Sequence, residues 1–328
     1  MIPDMRRLLI DAARLAGSVA LIWFAFSRID TARAFELLGS IPLGIVASVI
    51  AVLTLQIFVA AIRVHRLLAL NRSPVSLLLA TDSVFVGIFF SQTLISFIGG
   101  DAMRVWRLTA AGIRLPDALN TVLLDRIVGF AGLIVLIAIE APLLLVMVSA
   151  PAMTASIAVT LILGIGGLAA VFMVDRLPDS LLRWRVCRVA AGVSSLAKSI
   201  SRNGIELAYL LGLSVVVQVT NVVAIYLIAH GLHSPIGFLE LLVLVPPVML
   251  LAMLPISVAG WGVREGAMAA ALGLIGVSAE QSVAMSVCFG LCFIVAGLPG
   301  GITWLVARKT KGNKLGQAGG GEKAGRAE

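Results

Sequence analysis

The sequence predicts an all-α polytopic membrane protein of about six full spans plus two re-entrant helical hairpins, eight apolar units in all, with both termini cytoplasmic. Three observations carry this reading. Hydrophobic residues make up 60% of the 328 positions and charged residues only 13%, whereas soluble domains carry about 25% charged residues. Several apolar runs, Ile41 to Ile62, Ala155 to Val174, Leu207 to Ala229 and Gln281 to Ala307, are longer than the roughly 18 residues that mark a spanning helix. Between the runs, Lys and Arg gather in clusters, as cytoplasmic loops require. The balance of 25 Lys and Arg against 17 Asp and Glu is therefore an orientation signal, and no nucleic-acid partner is expected.

Each element follows from the charges. Arg6 and Arg7 hold the N-terminus inside, Leu8 to Phe26 leaves, and Ile41 to Ile62 returns to deliver Arg63, Arg66 and Arg72 to the same side. Val75 to Ile98 is long enough to cross, but crossing would place Arg104, Arg107, Arg114 and the basic segment from Asp175 to Asn203 outside. A re-entrant hairpin over Val75 to Arg114, turning at Gly99 and Gly100, removes the violation. Ala118 to Ile139 then leaves, Ala155 to Val174 returns, Leu207 to Ala229 leaves, and Gln281 to Ala307 returns before Arg308, Lys309, Lys311 and Lys314. Phe238 to Val277, broken by Pro246, Pro247, Pro255, Gly260 and Gly262, becomes a second hairpin entering from the outer face. Loops near Ser40 and His233 are thus external, and Arg114 and Arg183 cytoplasmic.

Residues 1–310 read as one transmembrane domain with half-repeats at 1–140 and 150–310, each holding span, span, hairpin, span. Three crossings per half invert the second copy. Gly100 and Arg104 precede Gly260 and Arg264 by a constant 160 positions, a shared Gly-x-x-x-Arg frame. The segment 180–203, with Leu182, Val186, Val189, Val193, Leu196 and Ile200 on one stripe, is an amphipathic interfacial linker suited to an anionic leaflet. Residues 311–328 form a basic tail with nothing to bury, expected to be disordered.

Charged side chains at membrane depth are functional candidates by default. They cluster as Asp101, Arg104 and Arg107 at the first hairpin, Asp125 and Arg126 on the next span, and Arg264 and Glu265 at the second hairpin. Asp101 is placed as an N-cap after Gly99 and Gly100, and Gly112 as a stop. Gly260 and Gly262 allow close backbone approach before a half-helix that Arg264 opens. Free N–H groups at such an N-terminus, beside a guanidinium, form a ready cradle for a phosphate headgroup. The competing reading is structural: Asp125 pairs with Arg104 or Arg107, and Glu265 with Arg126. For the acids the ion pairs are preferred; the arginines outnumber them four to three, so a ligand stays open.

No catalytic residue, metal ligand set or cofactor is called for. His230 and His233 near Glu240 are explained by a turn, Cys288 and Cys292 by packing, and no nucleotide-binding or hydrolase motif occurs.

The run Phe97-Ile98-Gly99-Gly100-Asp101-Ala102-Met103-Arg104, followed by Asp125-Arg126-Ile127-Val128-Gly129, resembles the GGD-x-x-R and (E/D)R-x-x-G pattern of the lysylphosphatidylglycerol synthase transmembrane region, the flippase-like or UPF0104-type family. Leu254 to Gly266 resembles its second signature, L-P-x-S-x-G-G-x-G-x-R-E, with Ala259 where glycine is usual and a bulkier residue at Trp261. Phe97 and Ile98 replace a more typical Pro-Gly. The resemblance implies a multi-pass protein of a bacterial-type cytoplasmic (inner) membrane that handles lipid. Relatives fused to a soluble aminoacyltransferase domain make lysyl-phosphatidylglycerol and move it across the bilayer; by resemblance only the translocating half is expected here. A lipid flippase or transporter for a polar, anionic or lipid-linked headgroup leads, with membrane lipids as partners. The alternative is a non-transporting accessory protein serving a lipid-modifying synthase or glycosyltransferase.

Overall fold

The computed structural model describes residues 31–93, 99–147, 151–176, 184–253 and 261–324; the side chains of 144–147, 151–157 and 308–324, and those of Thr31, Asp175, Arg185 and Val186, fall outside that description. Among the described residues the chain is all-helical, with eleven α-helices, one 3-10 turn and no strand. The expected span from Leu8 to Phe26 lies outside them.

Helix α1 covers Thr31–Ser40, where the sequence suggested only a loop. α2, Leu43–Leu70, starts just after Pro42, whose fixed φ suits a helix entry. It runs eight residues past Ile62, so Arg63 and Arg66 belong to the helix and not to the loop the charge reading gave them. Its continuation costs nothing in polarity, because Arg63 is buried against a carboxylate and Arg66 pairs with Glu206. α3 (Leu77–Thr93) and α4 (Gly99–Ala110) are short; α5, Leu115–Met147, is long. α6 is Pro151–Val171 and α7 Arg185–Ser201, with the 3-10 turn Val174–Arg176 between them. α8 covers Gly204–Gly231, α9 Phe238–Ala252, α10 Val263–Gly273 and α11 Ala279–Ala324. α9 passes through Pro246 and Pro247 without ending, although each proline removes a helical N–H. α11 continues through most of the tail that was expected to be unstructured.

Among the described residues, four helices are long and apolar enough to cross a membrane: Leu43–Leu70, Leu115–Leu143, Gly204–Gly231 and Ala279–Ala307. Their outward residues, such as Leu43, Ile139, Ile205 and Ile302, are apolar and exposed, as a surface solvated by lipid tails demands. Several such spans in one chain give a membrane-embedded, multi-pass helical protein.

The series α2 to α5 recurs as α8 to α11. α2 and α8 each have 28 residues, α3 and α9 have 17 and 15, and α4 and α10 have 12 and 11. The joints recur too. Arg72-Ser73-Pro74 and His233-Ser234-Pro235 both follow the long helix, with Arg72 and His233 at φ 56° and 52°. In each, the serine N–H donates back across the turn, Ser73 to Leu68 O at 2.9 Å and Ser234 to Ala229 O at 3.0 Å. Both short helices close on a left-handed glycine, Gly112 (φ 97°) and Gly276 (φ 83°). The next N–H reaches back five residues in both, Ile113 to Leu108 O and Val277 to Leu272 O, each at 3.2 Å.

These helices match at an offset of 164 and not 160, since Gly99 corresponds to Val263 and Gly112 to Gly276. The shared Gly-x-x-x-Arg frame therefore sits about one helical turn out of structural register. The reason is local: α4 takes Gly99 and Gly100 into its first turn, whereas α10 begins only after Gly262.

Packing follows the same exchange. α2 lies against α8, α3 against α11, and α9 against α5. Glycines bring α11 onto α3: a Cβ at Gly300 would strike the Phe85 backbone, and one at Gly297 would meet Ile88 at 3.0 Å. α7 presents Val193, Ala197 and Ile200 to Leu67, Leu124, Val128 and Leu210. That part of its apolar stripe thus faces protein, not the leaflet.

Candidate functional site

The first short pair, α3 and α4, is antiparallel. Asp82 meets Arg107, Gly87 faces Arg104, and Ser91 lies against Gly100, so one number rises as the other falls. Residues 94–98, between the two helices in sequence, lie outside the described residues. A Cβ at Gly87 would hit the stem of Arg104, and a Cβ at Gly100 would hit Ser91 and the Gly87 carbonyl. Gly100 therefore serves helix approach. Asp101 is not an N-cap either, because α4 begins at Gly99 and places it in the first turn. From there its Oδ2 accepts from Arg126 Nε, and its Oδ1 lies 3.9 Å from Arg104 Nη1.

Asp125 on α5 is the centre of the arrangement and only 4% exposed. Its Oδ1 accepts from Arg63 Nε at 2.7 Å, and its Oδ2 lies 2.9 Å from Arg104 Nη2. Arg63 also donates from Nη1 to Ser214 Oγ on α8 at 2.9 Å and lies over Gly129. One carboxylate thus joins α2, α4 and α5, with α8 attached through Ser214.

The second half is wired differently. Gly262 adopts φ 84°, which a side chain would resist, and starts α10. Glu265 turns back on this start: its Oε2 accepts from Gly262 N at 2.5 Å. Its Oε1 accepts from Arg264 Nη2 and from Ser286 Oγ, both at 2.9 Å. Arg264 Nε donates to Ser286 Oγ at 2.9 Å, and the guanidinium lies 4.9 Å from the Trp261 ring centroid and 5.4 Å from that of Phe289. Glu265 thus takes one N–H, that of Gly262, at the helix N-terminus that was read as an anion cradle. Gly260 lies outside the described residues.

Both halves nevertheless meet. A cavity of about 330 Å³ is lined by Arg63, Arg104, Arg126 and Arg264, with Asp125, Gln56 and Asn221 among its walls and Phe289 and Phe293 on its apolar side. Gln56 Nε2 donates to Asn221 Oδ1 at 2.9 Å across it. Arg107 is not in this set. It pairs with Asp82 one turn further along α4 and lines a separate groove.

The anticipated ion pairs are rearranged accordingly. Asp125 takes Arg104 as expected, but also Arg63, which the sequence reading assigned to a loop. Arg107 takes Asp82, and Glu265 takes its neighbour Arg264 instead of Arg126. Arg63 was visible as a charge within reach of an apolar run; only the helix extension to Leu70 turns it inward. Glu240, near His230 and His233, caps α9 through the Gly237 N–H.

A family model described as "Lysylphosphatidylglycerol synthase TM region" matches residues 12–300, and the chain belongs to that family. No curated protein matches the chain.

Proposed function

We propose that this member of the lysylphosphatidylglycerol synthase transmembrane family moves a lipid with an anionic headgroup across the bilayer, holding the headgroup in the cavity between its two halves. One observation carries the reading: four arginines from four helices line a cavity of about 330 Å³ with a single carboxylate among them. Arginines inside a membrane domain are costly unless paired or solvated, and a planar guanidinium suits a phosphate better than any other side chain does. Among these arginines Arg104 is the best placed for a ligand. Its Nε has no hydrogen-bond partner among the described residues, whereas Arg264 is held by Ser286, Glu265 and two rings.

In this reading α3–α4 and α9–α10 are re-entrant, enter from opposite faces, and belong to inverted repeats with both termini cytoplasmic in a bacterial-type inner membrane. The recurrence of joints and helix lengths supports the repeat, and half-repeats that swap packing partners suit alternating access. Cysteines placed at Arg114 and Arg183 should be protected from an impermeant thiol reagent in intact cells, and those at Ser40 and His233 labelled. External labelling at Arg183 would sink the topology.

Transport is tested in proteoliposomes holding this protein alone, with headgroup-labelled lipids. Arg104→Lys should lower movement by about tenfold, the worth of a lost bidentate hydrogen bond, while insertion and folding stay normal. Arg264→Lys should do less to transport, because that fork is already engaged. Wild-type movement by both variants leaves only the ion-pair reading. No movement of any lipid by the wild type would favour the accessory role beside a lipid-modifying enzyme, since every acid at the site already holds an arginine in place.

A further inference from the structure

The repeat separates charges that the fold requires from charges that it does not. From α2 and α8 the halves correspond at an offset of 161, Leu43–Leu70 with Gly204–Gly231, and from α4 and α10 onward at 164. Asp101 then corresponds to Glu265. Each is an acid in the first turn of its helix and each holds an arginine, Arg126 in the first half and Arg264 in the second. Arg126 itself corresponds to Gly290, where a Cβ would strike Arg264. The second half thus keeps the neutral pair and moves its arginine from one helix to the next.

The cluster around Asp125 does not recur. Arg63, Arg104 and Asp125 correspond to Ala224, Met268 and Phe289, which belong to one apolar core cluster and are at most 4% exposed. The fold therefore packs these three positions without any charge. In the first half two buried guanidiniums share one buried carboxylate. Asp101 is already taken by Arg126. Glu140, the other buried acid of α5, lies fifteen residues from Asp125, about 22 Å along the helix. Among the described residues one positive charge is thus left over at the cavity wall. A buried charge without a counter-charge is destabilising, and one that packing does not require calls for an anion from outside.

We propose that Arg63, Arg104 and Asp125 form a one-charge site within the cavity, taking a phospholipid of a single net negative charge with its phosphodiester on Arg104 and Arg63, and disfavouring zwitterionic and doubly charged headgroups. The proposal rests on the central cavity being the headgroup site. Charge decides the class. A phosphodiester without an ammonium brings the cluster to neutrality. An amine-bearing headgroup leaves the positive charge standing, and its ammonium meets no carboxylate at the cavity that does not already hold an arginine. A phosphomonoester dianion overshoots by one. Arg63 thereby joins the site, steadied by Asp125 at its Nε and by Ser214 at its Nη1.

The delipidated full chain in a neutral detergent tests this. Phosphatidylglycerol, with one negative charge, is compared with phosphatidylethanolamine at neutral pH, with none, and with phosphatidic acid at about pH 9, with two. Thermal shifts over a titration should give phosphatidylglycerol an affinity about tenfold above either of the others. Arg63→Gln removes the extra charge and keeps a donor, because the glutamine amide nitrogen stands as many bonds from the backbone as the Arg63 Nε that reaches Asp125. The variant should lose the roughly tenfold preference, and without lipid it should melt no lower than the wild type, since the uncompensated charge is gone. A lower melting temperature with selectivity intact would make Arg63 purely structural and overturn the site. Equal binding of phosphatidylethanolamine or of phosphatidic acid by the wild type overturns the one-charge count, whether or not the variant folds. Binding is read without transport, so a chain that selects phosphatidylglycerol yet moves no lipid keeps this site and loses only the transport reading.

Discussion

The α3–α4 hairpin and the α9–α10 hairpin have matching lengths and matching glycine closures, yet they treat their buried arginines in opposite ways. In the first, Arg104 finds its carboxylate on α5, and that carboxylate is shared with Arg63 on α2. In the second, Arg264 finds its carboxylate on the next residue, and two aromatic rings cover the guanidinium. The first hairpin is therefore tied electrostatically to two neighbours, α5 and α2, while the second is nearly self-sufficient and leans on α11 through Ser286. A charge shared across helices ties their relative positions together; a charge neutralised within one turn leaves the hairpin free to move as a unit.

The largest expected effect comes from removing the shared carboxylate. Asp125→Asn leaves Arg63 and Arg104 buried without a counter-charge, a loss of about 3–5 kcal/mol, measured as thermal unfolding of the purified protein in detergent. Glu265→Gln keeps an acceptor for Arg264 and Ser286 and leaves one cation over two rings, so it should cost only about 1–3 kcal/mol. Equal losses would break the comparison.

A smaller effect separates the two glycines that seat the arginines. Gly87→Ala forces a methyl into the Cγ–Cδ stem of Arg104 and to 3.4 Å from the Gly100 carbonyl. Gly290→Ala meets the tip of Arg264 and the edge of Trp261, at 2.9 Å. The tip of a side chain yields more readily than a stem clamped by backbone. Both should destabilise, within the about 1–3 kcal/mol typical of overpacking, with Gly87→Ala the worse by thermal shift.

The smallest effect should show no difference at all. Gly112 and Gly276 hold the same left-handed closure with open space around each. Gly112→Ala and Gly276→Ala should each cost about 1 kcal/mol, and unequal melting temperatures would count against structural equivalence of the two ends.

Several site residues were legible in the chain because isolated charges in apolar runs are conspicuous. Arg104, Asp125, Arg126 and Arg264 all reach the cavity wall. Arg107 did not follow: on the same face of α4 as Arg104 but about one turn further along, it is level with Asp82 and beyond the cavity wall. Asp82 was not singled out and Arg63 was placed in a loop for a common reason. Each lies within or beside an apolar stretch whose helical limits the sequence leaves loose, and a shift of a few residues decides whether a charge faces loop or core. The Ser-Pro joints at Ser73-Pro74 and Ser234-Pro235 were a better repeat signal than the Gly-x-x-x-Arg frame, being tied to backbone geometry that only certain residues adopt.

By itself the sequence determined the solvent, the helical class, the family, the order of apolar units and the set of charges that had to be reconciled inside a membrane. Those follow from composition and one-dimensional spacing, since an apolar run without internal polarity has one way to satisfy its backbone in lipid. Only the tertiary structure decided which charge meets which. Arg63 and Asp125 are 62 positions apart, and Arg264 and Ser286 lie on different helices. Their distances depend on how glycines let α3, α4, α10 and α11 approach one another, a property of packed surfaces that no local pattern encodes.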